Sequence, residues 1–135
     1  MIVDTSAVIA VAFNEPDAET LNELLLADSD PKMSTATAVE LGAVIVRRLP
    51  AEDQRRLERL FALWELNLVP LTIAQSDIAI RAYRDYGRGS GHRAALNLGD
   101  CFSYALAYET QQPLLYVGDD FVHTDITSAY RPHTS

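Results

Sequence analysis

Apolar and polar positions along this chain fall into short blocks that switch between a strand-like and a helix-like period. Residues 1–3 are an unbroken apolar run closed by Asp4-Thr5-Ser6, which predicts a buried strand, a turn and a helix over 7–13. Glu15-Pro16-Asp17 opens a second helix, with Leu21, Leu24 and Leu25 at spacings of three and four. A short strand is expected over 31–34. Ser34 or Thr35 then caps a helix whose apolar stripe is Val39, Ala43 and Val46. Pro50 suits the first turn of the next helix, which carries Leu57, Leu60, Phe61 and Trp64. A strand over 66–71 follows, and Thr72 caps a helix through Tyr86. Residues 87–99 hold four glycines together with Arg88, His92 and Arg93, and read as a mobile loop. A helix over 100–110 presents Cys101, Tyr104, Ala105 and Tyr108 at core spacing. The last buried strand, 113–117, ends in Gly118-Asp119-Asp120.

Short strands alternating with helices predict an α/β fold with a mostly parallel central sheet. In such sheets function gathers at the C-terminal ends of the strands. Asp4 and Asp119 occupy two of those ends. With no repeats and no linker, the 135 residues read as one domain, 1–135, and a chain 48% hydrophobic has ample material for a core. The single cysteine, Cys101, cannot form an internal disulfide, and the N-terminus lacks the basic start of a signal peptide. No apolar run is long enough to span a bilayer. A soluble cytoplasmic protein is expected, with no membrane partner.

Charge changes this picture in one respect. The net charge of −8 speaks against a general nucleic-acid binder. Yet nine of the eleven basic residues are arginines between positions 47 and 93, flanked by acidic ends. Arginine suits bidentate contact with phosphates or carboxylates.

Four acids occupy positions where a merely solvated side chain is awkward. Asp4 follows a buried strand, Glu40 lies in the otherwise apolar run Ala38-Val39-Glu40-Leu41, Asp100 opens a helix, and Asp119 follows the last strand. Each has an ordinary explanation taken singly: Asp100 complements a helix dipole, and Asp119 suits a turn. If the fold gathers them, the carboxylates repel unless a cation neutralises them. A hard divalent ion with oxygen ligands, Mg²⁺ or alternatively Mn²⁺, answers that need. Cys101 and the scattered His92, His123 and His133 offer no soft-metal spacing. Asp4 and Asp100 are the expected ion ligands. Asp119, first after the strand, is the expected fourth acid, with Asp120 its alternative. Ser6 is read either as a helix cap or as a hydrogen-bonding support for a metal water or a phosphate. Arg88 and Arg93, close to Asp100 in sequence, are candidate phosphate contacts.

The opening Met-Ile-Val-Asp-Thr-Ser-Ala, the mid-helix Glu40, the run Leu-Asn-Leu-Gly-Asp-Cys-Phe-Ser-Tyr-Ala over 96–105 and Gly118-Asp119-Asp120-Phe121 resemble PIN-domain proteins, and more closely the VapC toxins of bacterial toxin–antitoxin systems. The resemblance covers essentially the whole chain. It implies a PIN-domain-like α/β/α sandwich and a Mg²⁺-dependent endoribonuclease acting on a transfer or ribosomal RNA. A cognate VapB-type antitoxin and a homodimer are also implied. Carried over position by position, the acidic cluster falls on Asp4, Glu40, Asp100 and Asp119. Under the resemblance Arg88 and Arg93 would be RNA contacts. Trp64 and the leucine-rich helix faces are candidate partner surfaces.

Other classes fail on specific residues. A haloacid-dehalogenase-like phosphatase needs an Asp at position 6, which is Ser. A receiver domain needs a strand-end lysine near the C-terminus, and the only lysine is Lys32. No Gly-x-Gly-x-x-Gly follows the first strand. A catalytically silent module that binds RNA or antitoxin is the surviving alternative.

Overall fold

A computed structural model describes residues 1–130; the last five positions of the expected 1–135 span lie outside the described residues. The chain runs β1 (Ile2–Val3), α1 (Thr5–Ala12), α2 (Ala18–Ala27), β2 (Lys32–Ser34), α3 (Thr35–Arg48), α4 (Ala51–Trp64), β3 (Asn67–Val69), α5 (Ile73–Tyr86), α6 (Leu98–Thr110) and β4 (Leu114–Leu115). The four strands form one all-parallel sheet in the order β3-β2-β1-β4.

The alternation of strand side chains builds two cores, one on each face of the sheet. On one face Val3 and Leu115 join Leu21 and Leu25 of α2, Leu41 of α3, and Leu57 and Trp64 of α4. On the other, Ile2 and Leu114 join Leu96, Leu106 and Phe121, with Ala79 and Ala82 of α5. The expected α/β/α sandwich follows, because central strands buried on both faces read as continuous apolar runs. Burying each fully covered leucine contributes about 1.5–3 kcal/mol relative to exposure.

Several expectations shift. The helix expected over 7–13 begins at Thr5, because Asp4 caps it by accepting the Ser6 N–H at 3.1 Å. The expected stripe Val39, Ala43, Val46 is the outer face of α3: Val39 is 74% exposed and Val46 73%. Thr37 and Leu41 turn inward instead. A polar Thr is tolerated inside because its hydroxyl finds a buried partner in Ser103. Trp64 is core, 2% exposed, with its indole N–H donating to Asn22 Oδ1 at 2.7 Å, so it is not a free partner anchor. The edge strand is shorter than the 66–71 expected, and Tyr108 stands 44% exposed on α6. The loop after α5 is closed at its base: Arg88 N–H donates to the Leu96 carbonyl at 3.0 Å, and Leu96 N–H to the Tyr86 carbonyl at 2.9 Å. No helix among the described residues is long and apolar enough to cross a membrane.

Candidate active site

Asp4 stands one residue past β1, its N–H donating to the Leu115 carbonyl at 3.0 Å. Sheet pairing therefore sets its backbone directly. Its carboxylate, 3% exposed, is held by three donors. Oδ2 accepts the Ser6 N–H at 3.1 Å and the Ser6 hydroxyl at 2.7 Å, and Oδ1 accepts the Ser103 hydroxyl at 2.5 Å. The Ser6 oxygen in turn accepts the Val117 N–H at 3.0 Å. Asp4, not Ser6, is the cap of α1, and the Ser6 hydroxyl donates to Asp4 and accepts from Val117, two residues past β4. Burial pushes the Asp4 carboxyl above its ordinary range, and the Ser103 and Ser6 donors pull it part of the way back.

Asp100 occupies the first turn of α6. A capping box fixes it: its N–H donates to Asn97 Oδ1 at 2.8 Å, and its Oδ2 accepts the Asn97 N–H at 3.0 Å. The dipole explanation for an acid at this position is therefore correct but incomplete. Burial, followed by the charges of Asp4 and Asp120, raises the Asp100 carboxyl to about 7, against the pull of the Asn97 N–H. The Asp120 side chain is near enough for its charge to bear on Asp100. The structure thus brings together Asp4, Asp100 and Asp120.

Of the two acids after β4, Asp120 is the one whose charge bears on Asp100; Asp119, the expected fourth acid, precedes it in the same turn. It lines a cleft of about 490 Å³ with Asp17, Tyr116 and Tyr130. The reason is local. Gly118 takes φ +101°, which a residue with a side chain rarely adopts, and Asp119 then opens a turn in which its carbonyl accepts the Val122 N–H at 3.2 Å. Being first after the strand does not settle which of the two acids faces Asp100.

Glu40 reaches the site from α3. Its Oε1 accepts the Thr5 hydroxyl at 2.8 Å, and the carboxylate lies over the Cα of Gly99, where any side chain would collide with it. Gly99, the residue before Asp100, therefore leaves the space that the end of the Glu40 side chain occupies, and a side chain there would displace it. Arg88 and Arg93 are exposed on the loop that leads into α6, and neither is in an ion pair among the described residues. Burial raises the Cys101 thiol to about 12, with the Asp100 charge adding to it, so it offers no thiolate nucleophile.

The donor set suits a hard cation. The acidic groups that converge are carboxylates, and burial raises the two most buried, Asp4 and Asp100, with neighbouring acidic charge adding to the effect at Asp100. Among the described residues, no three His, Cys, Asp or Glu groups form a ready cage.

The raised carboxyls make a signed prediction. Asp100 titrates near 3.8 when exposed and about 7 in the fold, so the folded state binds more protons between those values. Stability contributed by this group is greatest below that window and falls as pH rises through it. Asp4 acts in the same direction. Thermal melts in EDTA should show the midpoint dropping between about pH 4 and about pH 7, with millimolar Mg²⁺ restoring most of the loss at the upper end. A midpoint that rises over this range and ignores Mg²⁺ would contradict the electrostatics described.

The hydrophobic pattern does not single out Ser103, Thr37, Thr5 or Gly99. The one available cue for Ser103 is a hydroxyl one turn beyond Asp100, facing the core in an otherwise apolar helix.

Comparison with known proteins follows the same lines. A family model described as PIN domain matches residues 1–126. Ribonuclease VapC42 of Mycobacterium tuberculosis is 48% identical over 129 residues, covering 96% of this chain and 98% of that protein. Ribonuclease VapC30 of the same organism is 45% identical over 132 residues, covering 98% and 100%. Among solved structures, M. tuberculosis VapC20, described as a sarcin-ricin loop cleaving toxin, matches with a TM-score of 0.72 at 16% identity. A toxin–antitoxin complex from Klebsiella pneumoniae gives 0.69 at 16% identity. Each match covers 97% of this chain and 98% of the other, and at such identity the likeness shows the fold.

Proposed function

This chain belongs to the PIN-domain family, and within it to the VapC ribonucleases; we propose that it is the toxin of a toxin–antitoxin pair and cuts RNA in a Mg²⁺-dependent reaction. The observation that carries this reading is the convergence of Asp4, Asp100 and Asp120, two of them with raised carboxyls. Asp4 and Asp100 would hold the ion, both as carboxylates. Bound there, a divalent cation would supply the positive charge and the water activation that phosphodiester hydrolysis requires. Glu40, with Oε1 tied to Thr5, keeps Oε2 available to take a proton from an attacking water. Asp120, beside Asp100, takes the fourth acidic role that position alone had suggested for Asp119.

The proposed substrate is a single-stranded loop of transfer or ribosomal RNA. The structural neighbour VapC20 is described as cleaving the sarcin-ricin loop, and loops offer splayed bases and an accessible backbone. Arg88 and Arg93 would bind that backbone at the rim, offsetting an otherwise acidic surface. The neighbouring Klebsiella structure is a toxin–antitoxin complex. For this chain the antitoxin's seat is read as the apolar cleft of about 300 Å³ where α3, α4 and β3 meet, lined by Leu41, Ile45, Phe61 and Leu68. Such a cleft suits the apolar face of an amphipathic helix. A homodimer would use the outer face of α5, where Ile73, Ile80 and Tyr83 recur at helical spacing, 90%, 69% and 40% exposed. All of these roles belong to the cytoplasm, where the RNA is.

The test is cleavage of total bacterial RNA by purified, antitoxin-free protein, with Mg²⁺ or with EDTA. Discrete fragments should form with Mg²⁺, vanish in EDTA and return when Mg²⁺ is added in excess. Fragments that persist unchanged in EDTA would sink the metal dependence. No fragments in any condition, with partner or RNA binding intact, would favour the silent-module reading.

A further inference from the structure

Helix α6 carries two hydroxyl residues that treat the chain differently. Thr110 donates to the carbonyl four residues back, Leu106, at 2.7 Å, the usual resort of a hydroxyl inside a helix. Ser103, wholly buried, instead crosses to Asp4 Oδ1, 99 positions away in sequence. Behind it stands Thr37 of α3, equally buried, its Oγ1 3.3 Å from Ser103 Oγ. The Ser103 proton is committed to a carboxylate, which has none to give in its ionised form. Thr37 must therefore be the donor in the second bond, and the chain runs Thr37 to Ser103 to Asp4.

An ionised carboxylate has about four acceptor positions, two on each oxygen. At Asp4 both positions of Oδ2 are filled by Ser6, and one of Oδ1 is filled by Ser103. The remaining position is on Oδ1, the oxygen that Ser103 holds. We propose that Ser103, with Thr37 behind it, is a positioning residue that fixes the rotation of the Asp4 carboxylate and so aims the free lone pair of Oδ1 at a divalent cation. This rests on the reading of Asp4 as an ion ligand. Groups that orient a ligand from behind typically change metal affinity by about 10- to 100-fold when removed. The terminal hydroxyl acts through one more bond, so its removal has the smaller effect.

The experiment is calorimetric titration of the antitoxin-free protein with MgCl₂, without RNA, for the parent, Ser103→Ala and Thr37→Val, each with its melting temperature. Ser103→Ala should bind Mg²⁺ about tenfold or more weakly. Thr37→Val, close to isosteric, should bind more weakly than the parent but more tightly than Ser103→Ala. RNA cleavage by Ser103→Ala should be recovered by raising Mg²⁺, which a purely structural defect would not allow. Mg²⁺ binding unchanged in Ser103→Ala, with only a lowered melting temperature, would overturn the proposal. If Ser103→Ala fails to fold, Thr37→Val decides: parent-like affinity overturns the proposal, and reduced affinity with parent-like stability upholds it. A parent protein that binds no Mg²⁺ would overturn the reading of Asp4 itself, a result distinct from the others.

Discussion

Asp4→Asn should leave a folded protein that no longer cuts RNA. The amide keeps the shape of the carboxylate and can still accept the Ser103 hydroxyl through Oδ1. Its Nδ2 stands where Oδ2 accepted the two Ser6 donors and cannot accept them, a loss offset by removal of the charge that burial makes costly, so the melting temperature near neutral pH should fall by several degrees without unfolding the protein. The same lost charge is what holds a cation. A bound divalent ion supplies several kcal/mol of transition-state stabilisation, and at about 1.4 kcal/mol per factor of ten its loss lowers the rate by about 10³-fold or more. The check is the initial rate on a mapped RNA fragment at saturating Mg²⁺, beside a thermal melt. Cleavage within tenfold of the parent, by a protein shown free of other nucleases, would remove Asp4 from the reaction.

The two acids after β4 should separate sharply. Asp120→Asn removes the charge that stands against Asp100, so the Asp100 carboxyl titrates lower and the ion loses a neighbouring negative group. A loss of about 10- to 100-fold in cleavage is expected, in the range found when groups around a metal ligand are removed. Asp119→Asn alters the rim of the cleft shared with Asp17 and Tyr130 and should leave the rate on the same RNA within about twofold. The two variants, assayed side by side at several Mg²⁺ concentrations, decide the matter. An inactive Asp119→Asn and an active Asp120→Asn would mean that the turn after Gly118 is arranged differently when RNA and ion are present.

Much of this architecture was legible in the order of residues. Ile2-Val3 and Leu114-Leu115 read as buried strands because apolar pairs flanked by polar turns have few other uses, and the parallel sheet follows from the helices between them. The positions of Asp4 and Asp100 were also readable, one just past a strand and one opening a helix. The reading of α3 failed for a physical reason. Val39, Ala43 and Val46 and the set Thr37, Leu41, Ile45 both recur at helical spacing, and the more apolar set is the natural choice. Burial of Thr37 depends on Ser103 being there to bond it, a fact that local spacing does not contain.

The same boundary runs through the site. Sequence pattern determines which local element each acid belongs to, because strand and helix periods act over a few residues. Which acid faces which is a property of the assembled sheet and helices. Asp120 rather than Asp119 meets Asp100 because of the backbone turn at Gly118. Glu40 reaches the site because Gly99 leaves room and Thr5 holds it. Asp4 is oriented by hydroxyls from α1 and α6, with Val117 and Thr37 bonded behind them. Contacts between segments so far apart in sequence leave no periodic trace, and so the carboxylates could be named from the chain while their geometry was decided by the fold.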